Sequence, residues 1–154
     1  MTHGVHSCLR VPADLSVISF VRSALACVLT REEWPSEGVG RVLLASTEAL
    51  TNAIEHGSPG GGAVEVELRV TVARADIRVL DQGRPGGSLP VIPSEPPPPT
   101  ALRGRGLIII SRLSDAFDLS ARGDGIQVDV GFLRDRGADP AAALSPGRIT
   151  AKAA

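Results

Sequence analysis

Lysine is almost absent from this chain. Of 16 basic residues in 154, Lys152 is the one lysine, and the rest are arginines. No Walker-type Gly-Lys-Ser/Thr phosphate loop occurs, and no dinucleotide-binding Gly-x-Gly-x-x-Gly. Cysteine is scarce too. Cys8 and Cys27 have no metal-ligand spacing and read as two buried, reduced thiols, with a disulfide left open. Net charge is only −1, which removes the general electrostatic case for nucleic acid or an anionic membrane as partner. No apolar run is long enough to span a bilayer. The start, MTHGVHSCLR, has no apolar core of a signal peptide. A cytoplasmic protein is expected. The length suits one domain, which buries roughly 70% of its unfolded surface and needs no staples.

What is present is ordered punctuation. Residues 5–12 read as a strand ended by Pro12. Asp14 can cap a helix over Leu15–Thr30, with Ile18, Val21, Leu25 and Leu29 on one face. Trp34 and Pro35 break it, and a second helix runs from Ser36 to about His56, stopped by Gly57 and the triplet Gly60–Gly62. Val64, Val66, Leu68 and Val70 alternate with charged residues, the period of a half-buried strand. Ala75–Leu80 is another. Gln82–Arg103 is rich in proline and glycine, and a loop this long is functional or disordered. A third helix over Gly106–Leu113 and a hairpin over Ala116–Ala121 and Gln127–Leu133, turned at Gly123-Asp124-Gly125, follow. The domain is expected over 5–134, and 135–154 is expected to be a disordered tail. This order favours an α/β (α+β) two-layer sandwich, a mixed sheet with helices on one face.

Three places could carry chemistry. Glu48, Asn52 and His56 are spaced by four, so on a helix they share one face. That stripe is either a solvated face or a place where a carboxylate and an amide organise a hard cation and a hydroxyl. Ala45 and Ala49 flank it and leave room for close approach. Asp81 closes an apolar strand beside Gly83. It either makes an ordinary turn or accepts a hydrogen bond from a ligand amine. Gly104-Arg105-Gly106-Leu107 opens the third helix. It is either a plain helix entrance or an anion cradle, with Arg103 and Arg105 able to bond phosphate.

Taken in order, these motifs resemble the stand-alone anti-sigma-factor serine/threonine kinases, histidine-kinase-like ATPases of the GHKL superfamily. Glu48-Ala-Leu-Thr-Asn52-Ala-Ile-Glu-His56 is similar to that family's N box. Asp81-Gln-Gly83-Arg-Pro85 resembles its first glycine box, and Gly104-Arg-Gly106-Leu107 its second. The likeness covers roughly 5–134. It implies a Bergerat-type ATP-binding fold and ATP with Mg²⁺ as ligands. It implies Glu48 as general base, Asn52 holding Mg²⁺ and Asp81 bonding the adenine amine. Gly83, Gly104 and Gly106 would approach the nucleotide through their backbones. His56 would contact the ribose-phosphate edge or pack the helix end. Two departures stand out: Ile126 where the family has threonine, and Pro85 where it has glycine. The missing hydroxyl removes a hydrogen bond of about 1 kcal/mol and implies weaker nucleotide binding.

The resemblance further implies a protein-serine kinase that doubles as an anti-sigma factor. Its partners would be a sigma factor or a STAS-type anti-sigma-factor antagonist, and a homodimer would form through the first helix and strand. Arg22 lies where some members contact a sigma factor; otherwise it is a solvated arginine. The rival reading is a non-catalytic sigma- or antagonist-binding module with weak or no nucleotide binding. A detached histidine-kinase catalytic domain is a third, without the helix pair that would carry a phospho-accepting histidine.

Overall fold

The computed structural model describes residues 4–83, 87–101 and 104–135. Strands form where apolar residues alternate. In β2 (Ala63–Val70) the valines at 64, 66 and 70 and Leu68 are buried, while Glu65 and Arg69 are exposed on the other side. β1 (Val5–Pro12), β3 (Arg74–Leu80), β4 (Ala116–Arg122) and β5 (Gly125–Leu133) complete a sheet of order β1-β2-β3-β5-β4. Its inner face is apolar through Ala75, Ile77, Val79, Val128, Val130 and Phe132. Each aliphatic side chain buried there is worth about 1.5–3 kcal/mol. The outer face is held by charges: Arg78 reaches Glu67 at 3.3 Å and Asp129 at 2.8 Å.

Among the described residues three α-helices cover the inner face: α1 (Ile18–Arg31), α2 (Ser36–Asn52) and α3 (Gly106–Leu113). Asp14 accepts from the Ser16 amide at 2.8 Å and starts a short 3₁₀ turn, Leu15–Val17, before α1. Val21, Leu25 and Leu29 of α1 are buried, as are Val42, Ala45, Ala49 and Leu50 of α2. Ala45 and Ala49 therefore face the core, where small side chains let the helix pack closely; they do not flank an open stripe. Among the described residues, no helix is long and apolar enough to cross a membrane.

The two-layer α+β sandwich matches the sequence reading, and one detail differs. A mixed sheet is expected, yet among the described residues every hydrogen-bonded strand pair is antiparallel. The physical reason lies in the connections. Two antiparallel helices between β1 and β2 return the chain to the end where β1 finished. Beyond them, β3 and β4 do run parallel, but β5 inserts between them and pairs antiparallel with both. The cysteines also differ. Cys8 and Cys27 are free and exposed, not buried, because Cys8 takes an outward position of β1 and Cys27 the solvent side of α1. The tail expected over 135–154 lies outside the described residues, apart from Asp135.

The end of α1 carries a local strain. Glu33 has φ 56°, in the left-handed region that L-residues avoid. Its amide bonds Thr30 O, and the Trp34 amide bonds Leu29 O, both at 3.0 Å. This is the helix-ending arrangement in which glycine is favoured. Glu33→Gly is expected to raise stability by about 0.5–1 kcal/mol, read from urea unfolding midpoints. An unchanged or lower midpoint would show that the Glu33 side chain compensates the strain.

Candidate functional site

The second helix does not stay α-helical to His56. It ends at Asn52 and continues as a π turn, Ala53–Gly57. Such turns insert an extra residue and collect at functional sites. The insertion breaks the straight stripe expected for Glu48, Asn52 and His56, because His56 no longer follows Asn52 by one α-helical turn.

Beside this turn lies a cavity of about 570 Å³. Its walls come from the end of α2 and the π turn, the end of β3, the β4–β5 turn, the segment 87–93 and the start of α3. Of the residues singled out in the sequence, Asn52, His56, Asp81, Gly83, Gly104, Gly106 and Leu107 line it. The size and mixed lining suit a small polar ligand with an apolar part.

Asp81 is the buried acid in this lining. It is only 6% exposed. Its Oδ1 accepts from the Ile126 amide at 2.9 Å, and the Asp81 amide donates to Ile126 O at 3.2 Å. Burial pushes its carboxyl above the ordinary carboxylate range, and hydrogen bonds from the Ile126 and Gly83 amides pull it back in part. Gly83 is held at φ 71°, with its Cα packed against the Asp124 carbonyl so that a side chain would overlap it. A glycine is needed there on both counts.

Glu48 and Asn52 meet the start of α3. A methyl placed on Gly106 would stand 3.0 Å from Glu48 Oε2 and 3.1 Å from Asn52 Nδ2. Both side chains are half-buried. Asn52 reaches the cavity, whereas Glu48 lies one turn back beneath Gly106 and is not part of the lining. The pair brings a proton acceptor and an amide to the part of the cavity where α3 begins. Among the described residues, no group of three or more His, Cys, Asp or Glu could hold a metal ion. A cation here would depend on Asn52 and on its ligand's own oxygens.

Arg105 and Arg22 are placed elsewhere. Arg105 donates from Nη2 to the carbonyls of Pro98 (3.1 Å) and Pro99 (2.9 Å), so it braces the proline run and does not line the cavity. Arg22 donates to Thr47 Oγ1 at 2.8 Å and ties α1 to α2; it is half-buried, not fully solvated. Arg103 lies outside the described residues, as do Pro85 and its neighbours Arg84 and Gly86.

Several lining residues were not singled out as site residues. In the sequence Gly57 reads only as a helix stop, Asp124 as turn, and Pro90, Val91 and Pro93 as part of an undivided loop. Val91 is 85% exposed, and the pair Val91-Ile92 between Pro90 and Pro93 is the signal in the sequence that this segment presents apolar surface. Ile126 had been noted for its missing hydroxyl, and its backbone amide supplies a bond to Asp81 that side-chain identity does not reveal.

Comparison with known proteins follows the same outline. Residues 11–132 match the profile of a family described as histidine kinase-like ATPase domain. The serine-protein kinase RsbW of Halalkalibacterium halodurans is 26% identical over 118 residues, 72% of this chain and 73% of that protein. The protein of the same name from Listeria innocua is 29% identical over 77 residues, 49% of each. The chain thus spans about half the length of the first curated relatives it matches. Among solved structures, one containing the RsbU and RsbW domains of a Mycobacterium tuberculosis protein gives a TM-score of 0.61 at 16% identity, over 82% of this chain and 32% of that one. At that identity the likeness is one of fold.

Proposed function

Given that this chain belongs to the histidine kinase-like ATPase domain family, we propose that it binds Mg-ATP and transfers the γ-phosphoryl group to a serine on a regulatory protein. The observation that carries this reading is one cavity lined by buried Asp81 together with Asn52, Gly104 and Gly106. Asp81 accepts a hydrogen bond from the exocyclic amine of adenine. Leu107 and Ile126 supply apolar surface for the ring. The backbone at Gly104 and Gly106, where α3 begins, faces the phosphates. Asn52 would hold Mg²⁺ by its amide oxygen; one protein ligand suffices, because this ion keeps waters and takes phosphate oxygens. When bound, it neutralises charge on the phosphates. Glu48 takes the proton of the acceptor serine as its oxygen bonds phosphorus and the bond to ADP breaks. The acceptor class is a STAS-type anti-sigma-factor antagonist, with a sigma factor as the sequestered partner. The likeness to proteins named serine-protein kinase RsbW supports a serine acceptor, and the resemblance of the three motifs to the anti-sigma-factor kinases implies these partners.

Calorimetry with Mg-ATP tests the site. Asp81→Asn keeps an oxygen for the Ile126 amide but turns the other position into a donor that faces the adenine amine. Affinity is expected to fall by about ten- to a hundredfold, the worth of roughly 1.5–3 kcal/mol for a bond to a charged group. The variant should not be unstable at neutral pH. The folded-state carboxyl of Asp81 is raised. Its contribution to stability is therefore full below the unfolded carboxylate range and lost as pH rises through the folded value. Asparagine has no such loss, so the variant gains on wild type in thermal unfolding from acid to neutral pH. Equal ATP binding by both proteins would sink the assignment of Asp81.

A second reading, a non-catalytic module that sequesters a sigma factor or antagonist, draws support from two features. Glu48 lies under Gly106 outside the cavity lining, and Ile126 offers no hydroxyl to the base. Partner binding with no phosphoryl transfer under saturating Mg-ATP would favour it.

A further inference from the structure

Gly57 closes the π turn and is buried. It lies flat against Asp81: a methyl on Gly57 would overlap the Asp81 carboxylate, meeting Oδ2, Cγ and Cβ together. Asp81 has little freedom to step aside, because Oδ1 is held by the Ile126 amide at 2.9 Å and the Gly83 amide also bonds the carboxylate. Both Gly57 and Asp81 line the cavity. A π turn closes i→i+5 bonds and so contains one residue more than an α turn. That extra residue sets which position of the chain meets Asp81, and the position it delivers is the one without a side chain. His56 and Ser58 on either side both carry one.

We propose that Gly57 is a positioning residue: the π turn lays its bare backbone against Asp81, and this packing fixes the carboxylate in the orientation that selects a 6-aminopurine over a 6-oxopurine. The proposal rests on the nucleotide reading of the cavity given above. An amine at the purine 6-position donates to the carboxylate, whereas an oxo group there presents an acceptor to an acceptor. The discrimination depends on the carboxylate not swinging to meet the base in another way. Gly57 removes the space for that swing on one side, as the Ile126 and Gly83 amides do on the other.

The test is Gly57→Ala, titrated by calorimetry with Mg-ATP, Mg-GTP and Mg-tripolyphosphate. Alongside, the Asp81 carboxyl carbon is followed by NMR against pH in the nucleotide-free chain. ATP affinity is expected to fall about tenfold and the preference for ATP over GTP to shrink. Tripolyphosphate affinity should stay within about twofold of wild type, because the phosphate end is untouched. The Asp81 titration should move toward the ordinary carboxylate range as the side chain is pushed out. Unchanged ATP affinity and preference would overturn the proposal, as would a parallel fall with tripolyphosphate. If Gly57→Ala folds poorly, the double variant with Asp81→Ser decides. A shorter residue at 81 makes room, so the double variant should regain the stability of Asp81→Ser alone; additive losses would overturn the proposal. Should wild type bind no Mg-ATP, the nucleotide reading falls by itself, and the nucleotide-free Asp81 titration still decides whether Gly57 seats the carboxylate.

Discussion

Glu48→Gln is expected to lower serine phosphorylation by roughly a hundred- to ten-thousandfold, the span that general-base catalysis supplies. Mg-ATP affinity should stay within about twofold. The asymmetry follows from placement. Glu48 lies beyond the cavity lining, so it adds little to nucleotide binding. Its Oε2 lies against the first residue of α3, at the end of the cavity where Asn52 and the glycine backbone would meet phosphate. Glutamine keeps the shape and the contact with Gly106 but cannot accept the serine proton. The measurement is transfer of labelled phosphate to a serine-bearing STAS protein, with calorimetry as the control. Wild-type transfer by the variant would end the assignment of Glu48. A matching loss of ATP affinity would instead place Glu48 in nucleotide binding.

The parts of the fold legible in the sequence were those with a simple period. Val64 to Val70 alternate, and the strand is there; Val21, Leu25 and Leu29 repeat at helical spacing, and all three are buried. Gly123, Asp124 and Gly125 marked the last hairpin, whose strands meet at Arg122 and Gly125. The π turn was not legible, because Ala53–Gly57 continues a helical pattern and its extra residue shows only in hydrogen bonding. The uniform antiparallel pairing was hidden for a related reason. Strand direction follows from how many times the chain crosses the layer, and local pattern does not count crossings.

The candidate site was legible as residue types in order, and less so as geometry. The spacing of Glu48 and Asn52 did place them side by side, under Gly106. It could not tell that Asn52 would reach the cavity while Glu48 stayed outside its lining. Arg105 looked like a phosphate ligand by position, but its guanidinium is taken by the Pro98 and Pro99 carbonyls. Proline carbonyls are good acceptors on a chain that offers no amide of its own, and that competition is invisible until the loop is folded. Gly57 shows the reverse. A glycine that reads as punctuation turns out to be pressed against a buried acid of the cavity, Asp81.

Arg41 is the residue on which stability should depend most, and nothing in the sequence marked it out. It lies among apolar neighbours of α2 and is 8% exposed. Its guanidinium donates to Leu133 O at 2.8 Å, Leu113 O at 3.2 Å and Asp115 Oδ2 at 3.3 Å. It also sits 5.8 Å from the centroid of the Phe132 ring. One side chain thus joins α2 to the end of α3, to the turn after it and to the last residue of β5. Arg41→Met fills much of the same volume but removes every donor, leaving Asp115 without this counter-charge and two carbonyls without this partner. Breaking a buried pair from one side costs about 3–5 kcal/mol, a large share of the roughly 5–15 kcal/mol that holds a domain folded. Urea unfolding should show a loss in that range at unchanged slope, with a melting temperature lower by on the order of 10 °C. Arg41→Lys, which keeps the charge but not the fork, should fall between the two. Because Leu113 closes the helix that begins at Gly106, the loosening should reach the phosphate end of the cavity and weaken Mg-ATP binding under conditions where the variant remains folded. A stability loss under about 1 kcal/mol would mean that water replaces the guanidinium at no great cost, and that α3 is held by its apolar face alone.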